Sequence, residues 1–288
     1  MQQSPEYFHW TDERGQRIEA VHYPAERPPV VLGFVHGINE HAGRYAHVME
    51  WFGQHGGFAC LGYDRQGYGR SGGRPGYAVR YTDYLDEIAR LVVACERRYP
   101  DTPLVLYGHS MGGHLLLTYL IKRRPDISAA IITAPHLELA FQPNPFLVTV
   151  GKLLRGIAPK FTQSNPLELD ALSRDPAVAE AFAADPLTHD KISTKTGMDI
   201  LDNANWLNEW TGTLPVPTLL MHGDADRLTS HAASRAFAAR NPEDLTWKSW
   251  PGLYHELHNE PEKEEVMAFV LEWLGGRVVP VHRPSQSV

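Results

Sequence analysis

Gly108-His109-Ser110-Met111-Gly112-Gly113 is the block that most restricts what this chain can become. An apolar run at 103–107 precedes it, and an amphipathic stretch opens at Gly112. A serine between two glycines at that spacing, after a strand and before a helix, is the sequence form of a nucleophile elbow. The reason is steric. A residue at the tip of so sharp a turn is forced into a strained backbone conformation, and the chain on either side comes too close for side chains two residues away. Gly108 and Gly112 relieve that crowding. The serine oxygen then stands at the top of a sheet, where amides at the helix start can face a developing oxyanion.

The rest of the chain supplies the sheet such a turn needs. Short apolar runs at 30–35, 58–63, 104–107, 129–133, 218–222 and 245–250 read as buried strands. Helical spacing lies between them. Residues 81–99 carry Leu85, Ile88, Leu91, Val92 and Cys95, residues 112–124 carry a leucine-rich face, and 262–274 follow Pro261, which suits a helix start. Residues 6–10 and 17–22 flank a turn at 13–16 and predict an antiparallel hairpin at the sheet edge. The alternation predicts an α/β chain, a mostly parallel twisted sheet flanked by helices on both faces. A length of 288 residues suits one large domain with an insertion. That insertion is expected at 136–214, where helical fragments at 145–158, 175–184 and 197–209 replace the strands. So long a connection is unusual inside a compact domain. The expected organisation is a core from 1–135 and 215–276, a helical cap over 136–214, and a loose tail at 277–288.

A serine hydroxyl needs a base within hydrogen-bond reach and an acid to orient that base. In this order of elements the acid follows a late strand and the histidine a later one. After 218–222 come Asp224 and Asp226, and after 245–250 come His255 and His258. Each loop leaves the carboxyl end of its strand, where sites lie in open α/β sheets. Composition alone separates neither pair.

Charge and cysteine usage narrow the class. With 27 Lys and Arg against 34 Asp and Glu, the formal net charge is −7, which argues against a nucleic-acid partner. The two cysteines, Cys60 and Cys95, sit in apolar stretches and are expected as buried small hydrophobes, not as disulfide or metal ligands. The first ten residues lack the basic start and apolar core of a signal peptide, and no apolar run approaches the ~20 residues of a membrane span. The expectation is a cytoplasmic protein that meets membranes at most peripherally. Oligomeric state is left open.

With these residues in view, the chain resembles the monoacylglycerol lipase and lysophospholipase group of α/β-hydrolases, over 6–274. The segments that carry the likeness are Phe34-Val35-His36-Gly37-Ile38-Asn39-Glu40-His41-Ala42-Gly43-Arg44-Tyr45, Asp64-Arg65-Gln66-Gly67-Tyr68-Gly69-Arg70-Ser71, the serine block, Gly223-Asp224-Ala225-Asp226-Arg227-Leu228 and Tyr254-His255-Glu256-Leu257-His258. The resemblance implies an α/β-hydrolase fold with an inserted helical cap. It also implies Ser110 as nucleophile, Asp226 as acid and His255 as base, with the amides of Ile38 and Met111 as oxyanion donors. Asp64 is implied to hold a turn, and His36 and His109 to support the site. Glu40, Arg44 and His258 are implied to hold a polar head group. Phe141, Phe146, Leu147 and Leu153 of the cap would line an acyl channel and touch lipid, with Phe182 beside the head group. Two positions depart from the pattern: Ile38 stands where a small residue is expected, and Phe182 where a tyrosine is.

The implied activity is hydrolysis of monoacylglycerols or similar single-chain esters through an acyl-enzyme, with no metal or organic cofactor. A broad short-chain carboxylesterase is the first alternative; a prolyl-type aminopeptidase and a binding protein without chemistry are others.

Overall fold

The structure is a computed structural model, and it describes residues 4–142 and 145–278; the side chains of Pro145 and Leu147 fall outside that description. In chain order the sheet-forming segments are β1 (Glu6–Thr11), β2 (Arg17–Tyr23), β3 (Val31–Val35), β4 (Ala59–Tyr63), β5 (Leu104–His109) and β6 (Ala129–Thr133). A short ribbon, β7 (Thr162–Ser164) with β8 (Lys191–Ser193), comes next, then β9 (Thr218–Gly223) and β10 (Leu245–Trp250). The helices are α1 (Ala46–Gly56), α2 (Tyr81–Arg98), α3 (Met111–Arg123), α4 (Pro145–Ile157), α5 (Pro176–Ala184), α6 (Thr194–Glu209), α7 (His231–Arg240) and α8 (Lys263–Gly275).

Among the described residues the main sheet runs β1-β2-β4-β3-β5-β6-β9-β10. β1 pairs antiparallel with β2, and β2 antiparallel with β4. The other pairings are parallel. The expected hairpin therefore forms the sheet edge, and the serine strand β5 lies between β3 and β6.

Strand residues alternate between two cores because successive side chains point to opposite faces. Val31, Val35, Leu104, Leu106, Ala130 and Ile132 pack with Leu85, Leu91 and Leu116 of α2 and α3 and with Phe237 of α7. Leu32, Phe34, Val105, Tyr107 and Ile131 pack on Val48 and Phe52 of α1 and Val266 and Val270 of α8. Burial on both faces is why these strands read as unbroken apolar runs. Both cysteines are buried and unbridged.

Two core helices, α1 and α7, carry no helix expectation from the sequence. α1 has no side-chain cap at its start and contains Gly53, yet Gly57 ends it in the left-handed region at φ 65°. α7 is alanine-rich with a narrow apolar stripe, and Ser230 caps it by accepting from Ala233 N. In the long segment between β6 and β9, helices α4 to α6 occupy the expected stretches. The ribbon β7–β8 between them is a difference: three polar-flanked residues per strand carry no readable alternation.

That segment is pinned to the sheet's loops at several points. Ser193 N donates to Gly76 O at 2.8 Å, and Glu256 N donates to Leu172 O at 2.7 Å. His41 and Asp185 pair at 2.8 Å, and Arg174 holds Glu260 at 2.8 Å. Of the expected tail, 279–288 lie outside the described residues.

Candidate active site

Ser110 follows the last residue of β5 and precedes the first of α3, with φ 53° and ψ −119°. A non-glycine residue there is strained and persists only where its surroundings hold it. Its amide donates to Thr133 O at 2.9 Å, and its carbonyl accepts from His114 N at 3.0 Å and His136 N at 3.2 Å. The flanking glycines are required by contact. A Cβ on Gly112 would fall 2.0 Å from Val35 O, and one on Gly108 would fall 2.8 Å from Gly112 O.

The loops after β9 and β10 bring the other two groups to the serine. His255 Nε2 lies 2.9 Å from Ser110 Oγ, and His255 Nδ1 lies 2.7 Å from Asp226 Oδ2. With Nδ1–H donating to the carboxylate, Nε2 is left to accept the serine proton. Burial acts to lower the affinity of His255 for a proton, but the Asp226 charge and hydrogen bond outweigh it and the net shift is upward. Burial likewise acts to raise Asp226, and the charge and hydrogen bonds of His255 and His222 drive it well below the usual carboxylate range. The paired candidates separate clearly. Asp224 is exposed and accepts from Gly252 N at 2.6 Å. His258 is fully buried and stacks on Tyr45 with centroids 4.8 Å apart, and neither ring nitrogen has a hydrogen-bond partner. Burial lowers it to about 3, so it stays neutral.

Ile38 and Met111 line the same cavity as Ser110 and His255. Met111 opens α3, so its amide belongs to the first turn, where no intrahelical acceptor exists. The cavity measures about 530 Å³, and Leu139, Phe141, Val148, Leu172, Phe182 and Leu201 are among its walls. That is the size and apolar character of a small-ligand site.

The remaining expected residues are distributed differently. Glu40 lines the cavity, but its oxygens are held by protein donors. Oε1 accepts from Gly37 N and from Tyr45 Oη at 2.7 Å, and Oε2 accepts from Arg44 Nη1 at 2.6 Å. Arg44 is not a cavity wall. It forms a two-pronged pair with Glu256 at 2.7 and 2.8 Å and lies over the Phe182 ring at 4.7 Å. His258 is behind His109, outside the cavity. Of the three residues expected at a head group, Glu40 reaches the cavity with its oxygens already engaged, Arg44 pairs with Glu40 and Glu256, and His258 packs against Tyr45 and His109. Phe146 and Leu153 are expected both along an acyl channel and against lipid. They are 72% and 64% exposed on α4 and do not wall the cavity. Leu147 is among the side chains left undescribed. Asp64 accepts from Ala42 N at 2.9 Å and Arg70 N at 2.8 Å, which ties its turn. His109 bonds Thr133 Oγ1 at 3.0 Å, and burial keeps it neutral.

Several groups at the site carry no expectation from the sequence. His222 donates from Nε2 to Asp226 Oδ2 at 3.0 Å, with Nδ1 accepting from Ser234 Oγ at 2.9 Å. Thr229 adds a hydroxyl to the same carboxylate at 2.9 Å. The readable signal was His222 four residues before Asp226 at a strand end. Glu256 was readable only as a neighbour of His255.

Comparison with known proteins bears on the family and the fold. The family model described as "Serine aminopeptidase, S33" (Hydrolase_4) matches residues 26–262. A monoacylglycerol lipase of Mycolicibacterium smegmatis is 35% identical over 87% of this chain and 90% of its own length. An abhydrolase domain-containing protein of Dictyostelium discoideum is 33% identical over 92% of this chain, which spans only 28% of that longer protein. The crystal structure of a Paleococcus ferrophilus monoacylglycerol lipase superposes with a TM-score of 0.79 at 29% identity, covering 96% of this chain and 99% of that one. The chain thus belongs to the Hydrolase_4 family of α/β-hydrolases and is similar, over most of its length, to monoacylglycerol lipases.

Proposed function

We propose that this ester hydrolase cleaves monoacylglycerols or closely related single-chain esters, with Ser110 as nucleophile, His255 as base and Asp226 as its orienting acid. The observation that carries the reading is the hydrogen-bonded series from Ser110 through His255 to Asp226, opening into one largely apolar cavity. His255 takes the Ser110 proton as Oγ attacks the ester carbonyl. The amides of Ile38 and Met111 receive the oxyanion, and one such donor is worth about 3 kcal/mol. His255 returns the proton to the leaving alcohol. Water, activated by the same imidazole, then attacks the acyl-enzyme and frees the fatty acid. Ile38, Phe141 and Phe182 would contact the acyl chain. The hydroxyls of the leaving group would meet the polar walls, which include His136, Gln163 and Asn165. The lipase names of the relatives support the substrate class.

In this reading the segment 136–214 is a cap that selects substrate, and its exposed apolar side chains meet lipid surfaces. No helix among the described residues is long and apolar enough to cross a membrane, so such contact would be peripheral. An aminopeptidase reading needs an unpaired carboxylate for an amino terminus. Glu40 and Glu256 share Arg44, and Glu168 pairs with Arg227 at 3.4 Å, which weighs against it.

The test is hydrolysis of a monoacylglycerol series beside p-nitrophenyl esters of matched chain length, by wild type and Ser110→Ala. Preference for the glycerol esters, lost in the variant, is expected. Fast turnover of short esters with little glycerol-ester activity would leave a general carboxylesterase instead.

A further inference from the structure

Arg65 is the largest fully buried side chain of the protein's described residues, and no carboxylate lies within ion-pair distance of it. A buried charge without an ion-pair partner is costly, and hydrogen bonds to its donors offset part of that cost. Glu87, on α2, is a neighbour in charge terms, but burial raises its carboxyl to about 8, so it is mostly neutral at physiological pH. The guanidinium instead donates from Nη1 to His36 O and from Nη2 to Gly37 O, while its Nε has no hydrogen-bond partner among the described residues. Its Nη2 also faces Met111 Sδ at 3.9 Å, and its plane lies over the Tyr68 ring at 5.1 Å.

These two carbonyls are not arbitrary acceptors. A trans peptide unit is planar, with its C=O and N–H directed to opposite sides. Fixing Gly37 O therefore fixes the direction of the Ile38 amide, and fixing His36 O fixes that of Gly37. The Gly37 amide is accounted for by Glu40 Oε1. Gly37 O takes a second donor, His36 Nδ1 at 2.9 Å, whose tautomer is set because His36 Nε2 accepts from Arg65 N at 3.0 Å. The loop so held is close to the nucleophile: a Cβ on Gly37 would lie 3.3 Å from Ser110 Cβ.

We propose that Arg65 is a positioning residue for ester hydrolysis: its fork clamps the carbonyls of His36 and Gly37 so that the Ile38 amide stays aimed at the oxyanion. Its charge, behind that peptide and against Met111, adds a fixed positive field where negative charge develops. A preorganised donor of this kind acts on the transition state more than on the bound ester.

The inference rests on the acyl-transfer reading of Ser110, and the experiment separates the two. Wild type, Arg65→Lys and Arg65→Met are assayed on p-nitrophenyl butyrate, with active serines counted by a fluorophosphonate so that rates refer to folded sites. Wild-type turnover keeps the Ser110 reading; a missing preference for glycerol esters would strike the substrate assignment and leave Arg65 untouched. In Arg65→Met, kcat should fall roughly 10²-fold per active serine, with KM within about threefold. Affinity for an alkylboronic acid, which forms a tetrahedral Ser110 adduct with an oxygen in the oxyanion position, should fall by a similar factor. Arg65→Lys can reach one carbonyl but not both, and should lose roughly tenfold in each. If Arg65→Met does not fold, the lysine variant decides alone. Variants that melt at lower temperature yet keep kcat and boronate affinity per active serine would overturn the proposal, as would a rise in KM at unchanged kcat.

Discussion

Asp226 illustrates how a single carboxylate is fixed for one task. It accepts from the amides of Leu228 at 2.7 Å and Thr229 at 3.1 Å, and from the Thr229 hydroxyl, His222 and His255. Those donors hold it ionised, and the ionised form is what raises His255. The sign of the pH dependence follows. In the proposed mechanism His255 must be neutral to accept the serine proton, so kcat/KM should rise with pH through its raised pKa. The acidic limb should lie above the usual imidazole value of 6.5. Asp226→Asn removes the charge that raises it, so residual activity should show that limb at lower pH, with kcat down by roughly 10⁴-fold because the tautomer is no longer enforced. A pH profile of both proteins on p-nitrophenyl butyrate checks this; an unmoved limb would assign the titration elsewhere. At this scale the serine was legible because its glycines are a steric requirement. The choice of Asp226 over Asp224, and of His255 over His258, came only from the family resemblance, because spacing does not say which loop residue points inward. Arg65 was legible only as part of a turn, since a clamp on backbone carbonyls leaves no pattern in side-chain spacing.

The elements were legible in proportion to how completely they are buried. The central strands are apolar on both faces and could be located to within a residue or two. α2 shows its stripe plainly, whereas α7 covers the sheet with Phe237 and alanines, and the apolar residues of α1 fall in one cluster, Val48, Met49, Trp51 and Phe52, too short to show a helical repeat. β7 and β8 are held by their partner strand and by Gly76, contacts distant in the chain. The elbow shows the opposite case, an element fixed by what it excludes. Gly112→Ala would drive a methyl into the Val35 carbonyl, where no side-chain rearrangement can relieve it. The expected result is a loss of about 2–4 kcal/mol in urea unfolding, the range of strained or overpacked sites. Gly252→Ala is the control. Its added Cβ meets nothing within 4 Å, and only its φ of 73° is strained, so a loss of about 1–2 kcal/mol is expected. A loss at Gly112 no larger than that at Gly252 would mean that small backbone shifts relieve the close approach to Val35 O.

Across the whole molecule, charge joins loops that the sheet order keeps apart. Arg44, after β3, bridges Glu40 and Glu256, the latter after β10. Burial acts to raise Glu256, but Arg44 holds it down to about 2. A depressed carboxylate stabilises the fold above its ordinary value near 4.5 and loses that contribution as pH falls toward about 2. Glu256→Gln should therefore lower stability at pH 7 and flatten its decline between those values, as read by urea unfolding at each pH. An unchanged slope would place acid sensitivity in other carboxylates.

The segment between β6 and β9 carries the remaining whole-molecule consequence. Leu153, Ile157 and Phe161 are 64%, 72% and 52% exposed, and Phe146 and Phe141 stand on the same stretch of chain with similar exposure. Large apolar side chains clustered at the surface mark an interaction site. They adjoin a cavity that Phe141 also walls, so a chain leaving a lipid surface would pass apolar contacts on its way to Ser110. Burying one such side chain is worth about 1.5–3 kcal/mol, so if the segment meets lipid as proposed, substituting two of them should reduce vesicle affinity at least ~10-fold. Leu153→Gln with Ile157→Gln is the double variant to make, since neither residue walls the cavity. Hydrolysis of soluble p-nitrophenyl butyrate should stay within about twofold of wild type, because the chemistry and the cavity are untouched. Cosedimentation with phosphatidylcholine vesicles and turnover of vesicle-borne monoacylglycerol should fall together. Equal loss on the soluble ester would mean that the helix supports the cavity from outside; equal retention on vesicles would mean that substrate reaches Ser110 from water.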